Sequence, residues 1–264
     1  MNAKEWRTCE LNTSSWWPIE ARIKTDGHTN VLHGAFVPQI PSEMIERFTE
    51  PGEVVADPFT GGGTTALECI RQERCFVGCE LNHDTYRATR DRLVEQMGVT
   101  AAEPQPLLRL IRGDCLDGKV INKVVRCLDL HDKRIALTMV HPPYLDIIRF
   151  NEGDQACLGE MDHSQFMLSM KELAQQYAAL SREKAHLVLV IADVWDSRAA
   201  ELIPLSSQAM EAIRSAGWAL RGTVVKNITG TKVQQKNRNL WKYRCLKHGT
   251  YTFETEFIYV FRKK

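Results

Sequence analysis

The residues best suited to chemistry lie between Val54 and Thr65, VVADPFTGGGTT. There an apolar run ends in Asp57-Pro58-Phe59, passes through three consecutive glycines and meets Thr64 and Thr65. That is the pattern of a strand, a glycine turn and a helix start. Lacking side chains, Gly61 and Gly63 let backbone approach a ligand closely. The helix N-terminus behind them offers unpaired N–H groups and the positive end of a dipole. A ligand with a negative or polar end is expected there; the alternative is a tight turn that serves packing alone.

Three further apolar runs also end in polar residues. CFVGCEL carries Glu80, LLRLIRGDC carries Asp114, and IALTMV runs into His141-Pro142-Pro143-Tyr144. The elements that must position these residues follow from the pattern. Strands are expected at Val54 to Ala56, Phe76 to Glu80, Leu108 to Arg112, Ile135 to Val140, His186 to Val194, Ala219 to Asn227 and Thr255 to Lys263. Helices are expected at Ser42 to Phe48, where Ser42 would cap after an extended approach set by Pro38 and Pro41, and from Thr64 to Gln72. Others follow Asn82, span His163 to Leu180, and stop at Gly217. Residues 99–106 read as a surface loop. Alternating strands and helices with a final antiparallel pair close into an α/β fold. It is expected to be a seven-stranded, mostly parallel, doubly wound sheet. Ligands of such sheets sit beyond the carboxyl ends of the strands, where Asp57, Glu80, Asp114 and His141 all fall.

DPFTGGGTT, a strand-end acid, Gly113-Asp114 and a Pro-Pro-Tyr turn together resemble the DNA amino-methyltransferases. These enzymes move a methyl group from S-adenosylmethionine to the exocyclic amine of adenine or cytosine in DNA. The likeness spans about Trp16 to Lys263 and implies a Rossmann-like methyltransferase fold. It implies cofactor contacts at Asp57, Pro58, Phe59, Gly61, Gly63, Thr64, Thr65, Glu80 and Asp114. Glu80, 23 residues beyond Asp57, suits the ribose hydroxyls, because a carboxylate accepts two hydrogen bonds in parallel. Asp57 would accept from the amino group of the methionine part or hold the glycine turn in shape. Asp114 would accept from the adenine amine or cap a helix. The stretch before the glycine loop would form one wall of the cofactor pocket.

His141, Pro142, Pro143 and Tyr144 would carry the reaction. The donor is already activated, so no metal and no covalent intermediate are expected. The task is alignment and exclusion of water. An exocyclic amine is a poor nucleophile because its lone pair is delocalised into the ring. Acceptors aimed at its protons favour a pyramidal nitrogen. The Pro142 carbonyl, locked by its neighbours, and the side chain of His141 would be those acceptors. Tyr144 would stack the base, worth about 1–3 kcal/mol, against the cost of flipping it from a duplex. Position 141 departs from the Asp, Asn or Ser usual in the family. Only a neutral imidazole has an acceptor nitrogen, so turnover should fall on acidification through its pKa, about 6.5 when unperturbed. A structural histidine in a turn is the alternative.

With 264 residues, 44% hydrophobic and 25% charged, the chain is expected to form a single domain over 1–264. No run of eighteen apolar residues appears, and the N-terminus MNAKEWRTCELN has no secretion pattern, so a cytoplasmic protein without a membrane span is expected. Eight cysteines without a CxxC pair predict reduced, buried thiols and no zinc. Trp6, Trp16 and Trp17 would anchor the N-terminal segment.

Net charge is only +1, yet between Ala212 and Phe253 nine Lys and Arg stand with no Asp or Glu. Within this stretch, the 227–253 insertion between the last two strands interleaves Lys232, Lys236, Arg238, Trp241, Lys242 and Arg244 with aromatics. That suits phosphate contacts and base stacking; a solvated hairpin is the alternative. Residues 145–161 read as an irregular loop after the catalytic turn, with Arg149 as a phosphate contact. The expected function is methylation of adenine N6 or cytosine N4 of a flipped base in duplex DNA, adenine ahead of cytosine, as in restriction-modification. An RNA base amine is the second choice, and a non-catalytic binding subunit the third. Oligomeric state stays open, and so does a partner that supplies specificity.

Overall fold

The computed structural model describes residues 10–23, 37–97, 107–143, 158–196, 201–228, 232–252 and 254–264. An eight-stranded sheet forms its centre. In chain order the elements are β1 (Trp16–Trp17), α1 (Gln39–Phe48), β2 (Val54–Asp57), α2 (Thr64–Arg71), β3 (Cys75–Glu80), α3 (His83–Met97), β4 (Leu108–Arg112), α4 (Gly118–Leu130) and β5 (Ile135–Val140). Then come a 3-10 turn (Leu158–Glu160), α5 (His163–Leu180), β6 (Ser181–Ile191), the small β7–β8 hairpin (Val194–Asp196 and Glu201–Ile203), α6 (Leu205–Ser215), β9 (Trp218–Asn227), α7 (Lys232–His248) and β10 (Thr255–Lys263).

The strand order is β1-β9-β10-β6-β5-β2-β3-β4. β10 runs antiparallel to both its neighbours; the other pairings in this sheet are parallel. The chain leaves β2 toward one edge through β3 and β4, then returns to place β5 on the other side of β2. The strand order therefore reverses between β2 and β5, where open α/β sheets bind ligands.

Alternation along the strands feeds two cores. Leu187, Leu189 and Ile191 of β6 point to the layer of α4, α5 and α6, where Val124, Phe166, Met170 and Ile213 are buried. Val188 and Val190 point to the layer of α1, α2 and α3, with Ile40, Met44, Leu67 and Leu93. Central strands buried on both faces need continuous apolar runs, as VVAD and IALTMV supply.

The seven expected strands are present. The two-residue β1 adds an eighth at the edge, where Trp17 is buried and Asn227 Oδ1 accepts the Ile19 amide at 2.6 Å. Helix α1 begins at Gln39 rather than Ser42. Pro41 sits within its first turn, where a missing N–H breaks no helical bond, and the Ser42 amide already donates to the Pro38 carbonyl. Helix α4, unassigned from the sequence, is capped by Asp117, whose side chain accepts the Lys119 amide at 2.7 Å. The cap is therefore Asp117 and not Asp114. The insertion between β9 and β10 holds helix α7 rather than a hairpin. Trp6, residues 99–106, Tyr144 and Arg149 lie outside the described residues, and no helix among the described residues is long and apolar enough to cross a membrane.

Candidate active site

The glycine turn is held from below by Asp57, which is 1% exposed. Its Oδ1 accepts the Phe59 amide at 3.0 Å and its Oδ2 accepts the Thr65 hydroxyl at 2.6 Å, so one carboxyl joins the end of β2 to the start of α2. Thr60 adds a second tie, its hydroxyl donating to the Asp57 carbonyl and its amide to the Cys79 carbonyl. Burial outweighs both hydrogen bonds to Asp57 and pushes its pKa up to about 7. This carboxyl thus changes charge near neutral pH.

Gly63 takes φ +77°, and a Cβ there would lie 2.8 Å from Thr89 Cγ2, so helix α2 starts from a left-handed residue packed against α3. Gly61 carries φ +49°. Its carbonyl accepts the Thr89 hydroxyl at 2.8 Å, and its amide donates to Glu80 Oε2 at 2.8 Å. The other oxygen of Glu80 accepts the Asn82 amide at 2.8 Å. Asn82 in turn receives the Asp84 and Thr85 amides on its side chain, so it caps α3. Burial raises the pKa of Glu80. With the Leu81 amide bonded to it as well, three backbone N–H groups hold this carboxylate and leave it acceptor capacity for a hydroxyl.

At the end of β4, Gly113 with φ +139° lets its amide reach the Glu80 carbonyl at 3.0 Å, and Asp114 Oδ1 accepts the Leu116 amide at 2.9 Å. His141 and Pro142 follow β5, the neighbour of β2. Pro142 is buried, and His141 and Pro143 are partly so. Desolvation lowers the pKa of His141. Glu256 acts against that shift and Lys226 with it. A neutral ring with an acceptor nitrogen is the form the site favours.

The structure therefore brings Asp57, Pro58, Phe59, Gly61, Gly63, Thr64, Thr65, Glu80, Asp114, His141, Pro142 and Pro143 to one end of the sheet. The backbone of Lys232, Lys236 and Arg238 is helical in α7, and Lys242 and Arg244 further along it are exposed beside the partly buried Trp241. β9 is parallel to β6, since both run antiparallel to β10. Its carboxyl end, from which this insertion springs, thus lies at the same edge as His141. Sequence reasoning missed Thr60 and Thr89, which fix the loop, and the Lys226–Glu256 pair, while Asn82 begins α3 where a helix start was expected. A threonine in the helix after β3 carries no local signal of its partner, whereas Asn82 ahead of DTYRAT could be read as a cap. Among the described residues no cluster of His, Cys, Asp and Glu could hold a metal, and six cysteines are free thiols.

The fold is Rossmann-like, with a glycine loop and strand-end acids at the carboxyl edge of its sheet. Residues 3–91 match the family model described as DNA methylase, for N6 and N4 methyltransferases. The match takes in the N-terminal third of the chain. Curated relatives agree over the same length. A type II methyltransferase, M.XycI of Xanthomonas campestris pv. cyanopsidis, is 35% identical over 85 residues, 32% of this chain and 27% of that protein. Another, M.Cfr9I of Citrobacter freundii, is 36% identical over 93 residues, 34% of this chain and 31% of that one. The matches thus take in less than a third of either relative. For the whole fold, a solved precorrin 8w decarboxylase from Methanobacterium thermoautotrophicum superposes with a TM-score of 0.51 at 13% identity, covering 94% of this chain and 99% of that one.

Proposed function

We propose that the protein is an S-adenosylmethionine-dependent DNA methyltransferase that modifies the exocyclic amine of adenine or cytosine. The observation that carries this reading is the adjacency of β2 and β5. It sets the glycine loop, with Glu80 beyond it, beside His141-Pro142-Pro143 at one sheet edge. The residues fit the cofactor. Glu80, a carboxylate at the end of β3 with acceptor capacity beyond its backbone hydrogen bonds, suits the ribose hydroxyls. Asp114 suits the adenine amine, and Asp57 in its ionised form suits a neighbouring ammonium. When bound, S-adenosylmethionine supplies an activated methyl group.

The protein's own part is to hold and prepare the base. The Pro142 carbonyl and the neutral ring of His141 accept hydrogen bonds from the two amine N–H groups, which favours a pyramidal nitrogen with its lone pair free to attack. Tyr144, next in the chain, offers a face on which the flipped base stacks. Lys232, Lys236, Arg238, Lys242 and Arg244, with Trp241, form a helix without a carboxylate at the same edge, suited to duplex phosphates. Arg149 is assigned a phosphate as well.

The test is product identification. The protein is incubated with S-adenosylmethionine carrying a labelled methyl group and, separately, duplex DNA and bulk RNA, and each is digested to nucleosides for mass spectrometry. Labelled N6-methyladenine or N4-methylcytosine from DNA is expected, and its identity fixes the base. Label in RNA alone would overturn the choice of substrate.

A further inference from the structure

Three large side chains of α7 face solvent: Leu240, Tyr243 and Leu246 are 47%, 61% and 76% exposed. They do not run as a stripe along the helix but form one patch on the outward side of its second half. At about 3.6 residues per turn, Leu240 and Leu246 stand about 60° to either side of Tyr243, while the partly buried Trp241 and Cys245 stand about 160° away. Lys242 and Arg244, the chain neighbours of Tyr243, stand about 100° to either side of it, and Lys247 falls between Tyr243 and Leu240. The patch is therefore rimmed by cations on both sides. Lys242, Arg244 and Lys247 are exposed, and none has an ion-pair partner among the described residues. The helix stops cleanly just beyond them, where Gly249 takes φ +66° and the Thr250 amide donates to the Cys245 carbonyl at 3.0 Å.

Contact with phosphates alone requires only the cations. A tyrosine and two leucines held out between those cations call for an apolar partner. The base edges of a duplex, thymine methyl groups among them, offer one between two rows of phosphates. A helix about 10–12 Å across also fits a major groove about 12 Å wide. A second copy of the chain suits the patch less, because α7 has no Asp or Glu to meet the cations of its twin. The pairing of Asn227 with Thr255 sets both ends of the insertion at the sheet edge that carries His141, where a bound duplex would lie. We infer that α7 is the element that reads DNA sequence. Its outward face enters the major groove, with Leu240, Tyr243 and Leu246 against base edges and Lys242 and Arg244 on the phosphates of the two strands. This rests on the proposed duplex substrate and deepens it, from a helix that holds DNA to one that chooses where.

Selection of bound duplexes from a random-sequence library, with the full chain and no methyl transfer required, tests this. The wild type should enrich a sequence motif. Leu240→Ala, Tyr243→Ala and Leu246→Ala combined should lower the preference for that motif over a scrambled duplex by about tenfold or more. The slope of log K against log salt should stay as in the wild type, because no phosphate contact is removed. Lys242→Ala with Arg244→Ala should do the reverse, keeping the motif while the slope falls by about 2, at about 0.9 per phosphate. Should the triple variant melt below the wild type, Tyr243→Ser alone, at the centre of the patch, should already weaken the preference. A wild type that binds duplexes without enriching a motif, or variants of the patch that keep the wild-type motif, would overturn the inference and leave the proposed methyl transfer standing. Binding to phosphatidylserine vesicles, lost in the triple variant, with duplex selection unaffected would assign the patch to a membrane surface and overturn it too. A wild type that neither binds nor labels duplex DNA would overturn both readings.

Discussion

Glu80 at the end of β3 accepts the Gly61 amide on one oxygen and the Asn82 amide on the other, both at 2.8 Å. One carboxylate thus ties the glycine turn after β2 to the start of α3 and still faces the ligand edge. In Glu80→Gln, an amide would set one N–H donor against a backbone donor and remove the charge. Charge-assisted bonds of this kind are worth about 1.5–3 kcal/mol. S-adenosylmethionine should therefore bind about ten- to hundredfold more weakly by calorimetry, while an unchanged Kd would remove Glu80 from the cofactor site.

Asp57 links the fold to pH. Its folded pKa is raised from 3.8 to about 7, so the folded state favours the neutral carboxyl. Its stabilising contribution is complete below about 4 and is lost as pH rises through about 7. Asp57→Asn should flatten this part of the stability profile, so between pH 6 and 8 its Tm should fall less than the wild type's. The ionised carboxylate is also the form a cofactor ammonium prefers, so wild-type affinity should strengthen over the same range. Parallel wild-type and Asp57→Asn profiles in thermal melts would contradict the assignment.

His141 sets the acid limit of turnover. Its pKa is lowered by burial, so the ring takes up its proton at lower pH than an ordinary histidine, and turnover should decline on the acid side of that ordinary value. Single-turnover rates across pH would show this. A rate that stays flat to the lowest pH at which the protein is folded would contradict the acceptor role.

The α7 insertion should be felt as salt dependence. Replacing Lys236, Arg238 and Lys242 together by Ala should weaken duplex binding. It should also reduce the slope of log K against log salt by about 2 to 3, since each phosphate contact contributes about 0.9. Equal slopes by fluorescence anisotropy would reject α7 as the contact.

Which parts of this were legible in the sequence depended on how local the signal was. The strand ends could be read because long apolar runs stop at single polar residues, and Asp57, Glu80, Asp114 and His141 stand where the runs stop. Helix α4 went unassigned, although Asp117 and the stripe Val120, Val124 and Leu128 carry its signal. Helix α7 was not, because KVQQKNRNLWKYRCLKH is polar on every side and offers no apolar stripe. Strand β1 is two residues long and is held by β9, more than 200 residues away. For the same reason, the meeting of Lys226 with Glu256 belongs to the register of the sheet.

The most direct measurement follows transfer of a labelled methyl group from S-adenosylmethionine to duplex DNA by the wild type and by His141→Ala in parallel, with cofactor binding measured for both. Both proteins should bind the cofactor equally, the wild type should label an adenine or cytosine amine, and His141→Ala should label it at least a hundredfold more slowly, roughly the scale of losing one positioned acceptor. A wild type that binds the cofactor yet labels no DNA, or a His141→Ala protein that labels it at the wild-type rate, would contradict the account.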